Sequence, residues 1–174
     1  MLNILNRLSP FFEDCYRRIG VREYARMMKM SPPSASTLLK GFRGMGLLKM
    51  EKDRGYNFYY ARRESKDFVD LSRMYWRRKL DTMVSEISKR YLDPAVVLFG
   101  SLSKAEAKTD SDIDLAVFSS TMMKGSRPMS RKNMESRLKR SIQIVEFRSL
   151  KSIKDVDFAE SVANGYVLAG RLEL

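Results

Sequence analysis

The sequence predicts a two-domain protein of the α/β (α+β) class. A helical N-terminal domain, a long connecting helix and a C-terminal domain with a small mixed sheet and helices are expected. Residues 1–63 contain three amphipathic helical segments, followed by two strand segments around a tight turn. Residues 64–93 contain no Gly or Pro and many helix-forming residues. Residues 94–174 alternate short apolar segments, typical of strands, with polar helical ones. These three ranges are the predicted domain divisions.

The composition narrows the chemistry that this chain can perform. It has no histidine and a single cysteine, Cys15, which excludes a Cys/His zinc site, histidine-based acid–base catalysis and an internal disulfide. No apolar run approaches the roughly 18 residues of a membrane span. We therefore expect a cytoplasmic protein with no membrane partner.

The positive charge is concentrated in the first half of the chain. The net charge is +12 overall. Residues 1–90 hold 20 Lys and Arg against 10 Asp and Glu, whereas residues 91–174 hold 13 against 11. Such an excess attracts phosphate backbones, but an ordinary solvated basic face gives the same count. Charge alone does not decide between these two interpretations.

The N-terminal segments have clear start and stop signals. Ser31 is a good helix N-cap and proline suits a first helical turn, so a third helix is predicted from about Pro33 to Arg43. Its predicted buried stripe is Ala35, Leu38, Leu39 and Phe42. Strands are predicted over residues 47–51 and 56–61, around a tight turn at residues 53–55.

Residues 21–63, VREYARMMKMSPPSASTLLKGFRGMGLLKMEKDRGYNFYYARR, resemble a winged helix-turn-helix DNA-binding domain. The order of elements and the "GLL-K" entry into the wing carry the resemblance. It implies that the third helix enters a major groove of DNA, with these candidate contacts: Ser34, Ser36, Thr37, Lys40 and Arg43. Lys52 and Arg54 of the wing would reach phosphates or the minor groove. Use of this domain for protein contact or dimerisation stays open as an alternative.

The strongest chemical pattern lies at residues 95–118, AVVLFGSLSKAEAKTDSDIDLAVF. An apolar run ends at Gly100-Ser101, ten residues follow, and Asp112-Ile113-Asp114 then leads into a second apolar run. Carboxylates at i and i+2 on a strand point to the same face, and such a pair is costly without a cation. Oxygen ligands of this kind suit Mg²⁺. Gly100 allows close approach of a ligand to the backbone.

This combination of strand, Gly-Ser, fixed gap, alternating acids and strand resembles the DNA polymerase β-like nucleotidyltransferase superfamily, in particular its minimal prokaryotic members. The resemblance covers roughly residues 95–170. It implies two-metal Mg²⁺ chemistry with a nucleoside triphosphate as substrate. Asp112 and Asp114 would be the catalytic, metal-binding acids. Gly100, Ser101, Ser103 and Lys104 would contact the nucleotide.

The third acid that the resemblance implies is missing from its expected place. A later strand is predicted over residues 141–147. In it, Gln143 lies between two isoleucines, at the position expected for the third acid. Glu146 is the carboxylate of this strand, but alternation puts it on the face opposite Gln143. The third metal ligand is therefore either Gln143, a neutral amide, or Glu146 after a change of register. Residues 120–130, with Gly125 and Pro128, are predicted to be a loop.

Two functions follow from these patterns. The first is a nucleotidyltransferase that moves NMP from Mg-NTP to an unknown hydroxyl acceptor, with a DNA-binding winged helix. The alternative is a winged-helix transcriptional regulator, or an antitoxin-like protein, whose nucleotidyltransferase domain binds nucleotide or a partner with little or no catalysis. A homodimer through the long helix and a small helical toxin-like partner also stay open.

Overall fold

The computed structural model describes residues 2–119, 121 and 131–172 of this chain, which divides into two compact units. The first unit comprises Met1–Tyr75 and Ala105–Thr109, and the second comprises Trp76–Lys104 and Asp110–Leu174. The division therefore falls within the long helix. It also assigns half of the segment between Ser101 and Asp112 to the first unit.

The first unit combines three helices, a small antiparallel sheet and the start of the long helix. Its elements are α1 (Leu2–Glu13), β1 (Ile19–Gly20), α2 (Val21–Met27), α3 (Pro32–Gly44), β2 (Leu48–Asp53), β3 (Tyr56–Ala61) and the first part of α4 (Lys66–Ser88). The strand order is β1-β3-β2, and both pairings are antiparallel.

Local signals account for the key junctions of the first unit. The predicted N-cap of α3 is confirmed, because the backbone N–H of Ser34 donates to the Ser31 hydroxyl oxygen at 3.3 Å. Asp53 and Tyr56 form the last pair of the β2–β3 hairpin, which leaves a two-residue turn. Both turn residues have positive φ, 47° at Arg54 and 84° at Gly55, as a type I′ turn requires.

The core of the first unit is built around α1. Phe12 is fully buried, and its ring lies 5.1 Å from that of Phe68 on α4 and 5.3 Å from that of Tyr75. The returning segment Ala105–Thr109 is held at the end of α1. The Cys15 N–H donates to the Ala107 carbonyl at 2.8 Å, and the Thr109 hydroxyl donates to Asp14 Oδ2 at 2.8 Å.

The second unit contains the rest of α4 and a four-stranded mixed sheet. Its further elements are β4 (Ala95–Phe99), α5 (Gly100–Ser103), β5 (Ile113–Phe118), α6 (Arg131–Leu138), β6 (Ile142–Phe147), a 3₁₀ turn (Leu150–Ser152), α7 (Val156–Ala163) and β7 (Tyr166–Ala169). The strand order is β6-β5-β4-β7. β5 and β6 are parallel, whereas the other two pairings are antiparallel.

The central strands of this sheet are buried on both faces. All five side chains of β4 are buried, so neither face of that strand is left to solvent. On one face, Ala95, Val97 and Phe99 pack with Ala116 and Phe118 of β5 and with residues of α7. Asp112 directly precedes β5, and Asp114 is the second residue of this strand. The packing of β5 therefore determines where the two carboxylates project.

The predicted elements agree with the observed ones to within about two residues at most boundaries. The two-residue strand β1 and the 3₁₀ turn at residues 150–152 were not predicted. Apart from Thr121, the loop predicted over residues 120–130 lies outside the described residues. Within the described ranges, no helix has both the length and the apolar character that crossing a membrane requires.

Candidate active site at the Gly100 turn and the Asp112–Asp114 pair

Gly100 joins β4 to α5 in a conformation that only glycine adopts without strain. Its φ is +68°, in the left-handed region. A methyl group built on Gly100 would lie 2.5 Å from Oδ2 of Asp114, far inside van der Waals contact. Phe99 and Asp114 are also partners in the β4–β5 ladder. The Gly100 backbone and the Asp114 carboxylate are therefore immediate neighbours.

The residues after Gly100 divide into an accessible set and a buried one. Ser101 is partly exposed and Lys104 is exposed, so both are available to a ligand from solvent. Ser103 is 0% exposed, and its hydroxyl donates to the Gly100 carbonyl oxygen at 2.8 Å. We expected Ser103 to contact a nucleotide, but its position gives it the different role of stabilising the turn.

Asp112 and Asp114 flank a core residue, as the alternation of the sequence predicts. Ile113 is fully buried, whereas both aspartates are partly exposed. The Ile113 N–H donates to the Ser141 carbonyl at 2.9 Å, which extends the pairing of β5 and β6 to this point. The acid pair is therefore held on rigid backbone at the end of a strand.

Asp114 is in an unfavourable place for a negative charge. Burial raises the pKa of the Asp114 carboxyl group above its ordinary value, and the charge of Asp112 raises it further. Among the described residues, no hydrogen bond or ion pair to the Asp114 carboxylate is found. A half-buried carboxylate beside a second one is stabilised by a cation.

Gln143 is the third polar side chain at this position. In the parallel register of β5 and β6, Gln143 is the partner of Asp114. Its Nε2 donates to Oδ2 of Asp112 at 2.8 Å. The sequence placed Gln143 where a third acid was expected, and the structure places its amide against the acid pair.

Glu146 lies elsewhere on β6. It is the partner of Val117, three positions beyond Asp114, which corresponds to about 10 Å along a strand. The odd separation from Gln143 puts it on the other face of the sheet. Glu146 accepts a hydrogen bond from Tyr91, and burial together with this bond raises the pKa of Tyr91 to about 12. The alternative in which Glu146 joins the acid pair needs a register that the structure does not have.

The comparison with protein families decides the family. The model of the polymerase beta nucleotidyltransferase family matches residues 84–171, just over half of the 174-residue chain. The chain belongs to this nucleotidyltransferase family. Comparisons with curated proteins and with solved structures found no match.

The matched range contains every residue of the candidate site. It starts within α4, includes all four strands of the mixed sheet and ends after β7. Gly100, the acid pair and Gln143 all lie inside it, whereas α1–α3 and the β2–β3 hairpin lie outside it. The winged helix is therefore still a prediction from the sequence.

The acid pair offers two carboxylates to a cation, and no third acid joins them in the described residues. Asp112 and Asp114 supply two carboxylates, and oxygen ligands of this kind suit Mg²⁺, which keeps water and phosphate oxygens in its shell. Within the described part of the chain, no group of three or more His, Cys, Asp or Glu side chains could hold a metal ion. The three-acid arrangement that the resemblance implied does not fit these residues, because Gln143 stands in the third position.

Arg140 contacts the backbone directly before the acid pair, and no sequence pattern pointed to it. It is only 7% exposed, and its Nη1 donates to the Ser111 carbonyl at 2.6 Å, directly before Asp112. Its guanidinium group lies 5.1 Å from the centre of the Trp76 ring. The sequence presented Arg140 only as the end of a basic helical segment.

The candidate DNA contacts lie on accessible parts of the first unit. On α3, Ser34, Thr37, Lys40 and Arg43 are exposed and Ser36 is partly exposed. Lys52 and Arg54 are exposed at the tip of the β2–β3 hairpin. Among the described residues, none of these four cations is found in an ion pair, which leaves them free to meet phosphates.

An apolar groove borders the same helix. It has a volume of about 770 Å³, and Ile4 of α1 and Leu38 and Met45 at α3 contribute apolar surface, whereas Ser34 and Thr37 also line it. Leu38 was predicted in the buried stripe of α3 but is only partly buried, because it faces this groove. The surface of α3 thus combines free cations with apolar side chains.

Gly100→Ala should destabilise the protein more than Gly55→Ala does. Both glycines have positive φ, so each substitution costs about 1–2 kcal/mol in backbone strain. Only Gly100 adds the collision with Asp114, because nothing lies within 4 Å of a methyl group at Gly55. Thermal and urea unfolding of the two variants would measure the difference. Equal losses would contradict the close packing of Gly100 and Asp114.

Asp114→Asn should raise the stability of the cation-free protein near pH 7.5. Because the pKa of Asp114 is raised on folding, the folded state holds the proton more tightly. The free energy of unfolding therefore falls as the pH rises from the ordinary to the raised pKa, and stays lowered above it. The asparagine variant lacks this loss.

The test is thermal unfolding in EDTA from pH 3 to pH 8. The advantage of Asp114→Asn should shrink as the pH falls from the raised pKa of Asp114 towards the ordinary Asp pKa of about 3.9, and should be absent below it. Asp81→Asn, at an exposed position of α4, is the control. A variant less stable than the wild type at pH 7.5 would contradict the prediction.

Proposed function

We propose that this protein is a DNA-associated nucleotidyltransferase that binds a nucleoside triphosphate with Mg²⁺ and transfers NMP to a hydroxyl acceptor. The observation that carries the proposal is the Asp114 carboxylate. It is half-buried, lies beside Asp112 and touches the Gly100 backbone. Among the described residues it has no partner that would stabilise its charge. A bound cation and the phosphates that accompany it would provide one.

Each accessible residue of the site has a role in holding the nucleotide. Asp112 and Asp114 would hold one Mg²⁺, which when bound would neutralise part of the triphosphate charge. Gly100 has no side chain to keep a phosphate from the backbone. The Ser101 hydroxyl would donate to a phosphate oxygen, and the exposed ammonium group of Lys104 would add positive charge.

The reaction is a displacement at the α-phosphorus. The acceptor oxygen forms a new bond to phosphorus, the bond from phosphorus to the bridging oxygen of pyrophosphate breaks, and pyrophosphate leaves. The acceptor hydroxyl loses its proton to water. The pairing of β5 and the bond from Arg140 to the Ser111 carbonyl would keep the acid pair in place during this step.

DNA binding by the first unit is supported by the positive charge of the N-terminal half of the chain and by exposed cations of the unit itself. The net charge of +10 over residues 1–90 favours a polyanionic partner. The exposed face of α3 and the tip of the hairpin carry Lys40, Arg43, Lys52 and Arg54. Helix-turn-helix proteins bind DNA with such a helix in the major groove. A homodimer and a small toxin-like partner remain predictions from the sequence.

A second candidate is a DNA-binding regulator that binds nucleotide without turnover. The hydrogen bond from Gln143 to Asp112 favours it. An amide in place of a carboxylate supplies no negative charge and no base for the acceptor hydroxyl. Binding of Mg-NTP without label transfer would select this candidate.

Incubation with α-labelled NTPs and Mg²⁺ tests the first proposal. The wild type should bind nucleotide and transfer label to an acceptor, which includes the protein itself or added nucleic acid. Asp112→Asn and Asp114→Asn should each abolish cation-dependent binding. Asp110→Asn, an exposed aspartate two residues before the pair, is the matched control and should bind normally. Binding that survives loss of both acids would refute the assignment of the site.

Loss of two α3 cations should weaken DNA binding and its dependence on salt. The Lys40→Ala/Arg43→Ala variant should bind duplex DNA less tightly, and its slope of log K against log salt should fall by about two. Lys151→Ala/Lys154→Ala, also exposed but in the second unit, is the control and should not change the slope. An unchanged slope in the α3 variant would favour protein contact as the role of this surface.

A further inference from the structure

Gln143 is the only uncharged member of the three polar side chains that meet at the end of β5. Its place is fixed by the parallel register, in which it is paired with Asp114. Its side chain has a partner in the protein, because Nε2 donates a hydrogen bond to Oδ2 of Asp112 at 2.8 Å. Gln143 thus touches one acid and neighbours the other.

The charge of this site balances one divalent cation. Asp112 and Asp114 together carry two negative charges when ionised, and the Gln143 amide carries none. A second divalent cation would find no further carboxylate of the protein and would depend on phosphate oxygens of the nucleotide for its negative ligands.

The hydrogen bond from Gln143 also occupies one oxygen of Asp112 that could otherwise bind a cation. With the amide donating to Oδ2, the side of Asp112 that faces β6 is covered by N–H groups, which repel a cation. The other oxygen of Asp112 and the carboxylate of Asp114 stay free of this bond. One cation between the two aspartates is compatible with the bond, but a second one on the β6 side is not.

No other carboxylate of β6 can take the place of Gln143. Glu146 is paired with Val117 on the opposite face and is bonded to Tyr91. A rotated amide would present its oxygen to a cation, but this oxygen is neutral and adds no charge. The limit on charge therefore holds in either orientation of the amide.

We propose that Gln143 restricts this site to one divalent cation, by covering Oδ2 of Asp112 and by supplying no third carboxylate, so that bound nucleotide is turned over slowly. This proposal rests on the proposed binding of Mg-nucleotide at the acid pair. It makes Gln143 the residue that decides how many cations accompany the nucleotide. A carboxylate at this one position should change that number.

The test counts bound Mn²⁺ by electron paramagnetic resonance, with a nucleotide analogue whose α–β bridge cannot be cleaved. Asp112→Asn/Asp114→Asn protein gives the background from ions bound to free nucleotide. The wild type should bind one Mn²⁺ per chain at this site. Gln143→Glu and the shorter Gln143→Asp should bind two. Two variants are used because one of them could misfold or hold its carboxylate at the wrong distance from the cation.

Gln143→Met separates the two effects, because it keeps the length of the side chain but has neither the donor nor a charge. It should bind one Mn²⁺. Glu146→Gln should also bind one. Thermal unfolding gives a second readout: without cations, Gln143→Glu should be less stable than the wild type, and Mn²⁺ should stabilise it by a larger shift in Tm. With α-labelled NTP, transfer by Gln143→Glu or Gln143→Asp should rise at least about tenfold.

The outcomes distinguish this proposal from the proposed function. Two Mn²⁺ in the wild type, or one Mn²⁺ in both acidic variants, would overturn the role of Gln143 and leave nucleotide binding intact. A second ion in Gln143→Met would show that the hydrogen bond alone sets the limit and would overturn the charge argument. No Mn²⁺ above background in the wild type would overturn the proposed function, and this inference with it.

Discussion

The parallel pairing of β5 with β6 determines what the acid site contains. It aligns Asp114 with Gln143 and Val117 with Glu146, and the two-residue period of strands then sorts these side chains onto opposite faces. The Ile113–Ser141 backbone bond and the Arg140–Ser111 bond hold the entry to β5 in the same register. A slip of one residue would bring an isoleucine against Asp114 and exchange the side chains on the two faces of β6. The core of the sheet and the chemistry of the site are thus set by one register.

The site holds an acid pair that packing positions but does not stabilise. Asp114 is half-buried and its pKa is raised. Its carboxylate fits beside Gly100 only because glycine has no side chain. The buried strands on which these residues lie provide the stability that the acids do not. Carboxyl groups with a raised pKa cluster at functional sites. The Gln143–Asp112 bond partly relieves the unfavourable charge of the acid pair, and relief without a charge is what separates this site from one with three acids.

The ten residues between Ser101 and Asp112 also have a structural role. In the sequence these ten residues look like a simple loop of fixed length. In the structure, Ala105–Thr109 packs as part of the first unit. Bonds from Cys15 to Ala107 and from Thr109 to Asp14 hold this segment at the end of α1. The chain therefore leaves the second unit after Lys104 and returns at Asp110, directly before the acid pair. The segment that joins the two halves of the motif is therefore part of the first unit.

The sequence by itself determined the features that depend on neighbouring residues. Apolar runs gave β4 and β5, the absence of Gly and Pro over residues 64–93 gave α4, Ser31 gave the start of α3, and Gly-Ser with Asp-Ile-Asp indicated the family. Only the tertiary structure decided the features that depend on residues far apart in the chain. The burial of Ser103, the partial exposure of Leu38, the contacts of Arg140 and the bond from Gln143 to Asp112 are of this kind. The physical reason is that periodicity and capping are local, whereas burial and strand register arise from packing between distant segments, such as residues 112 and 143.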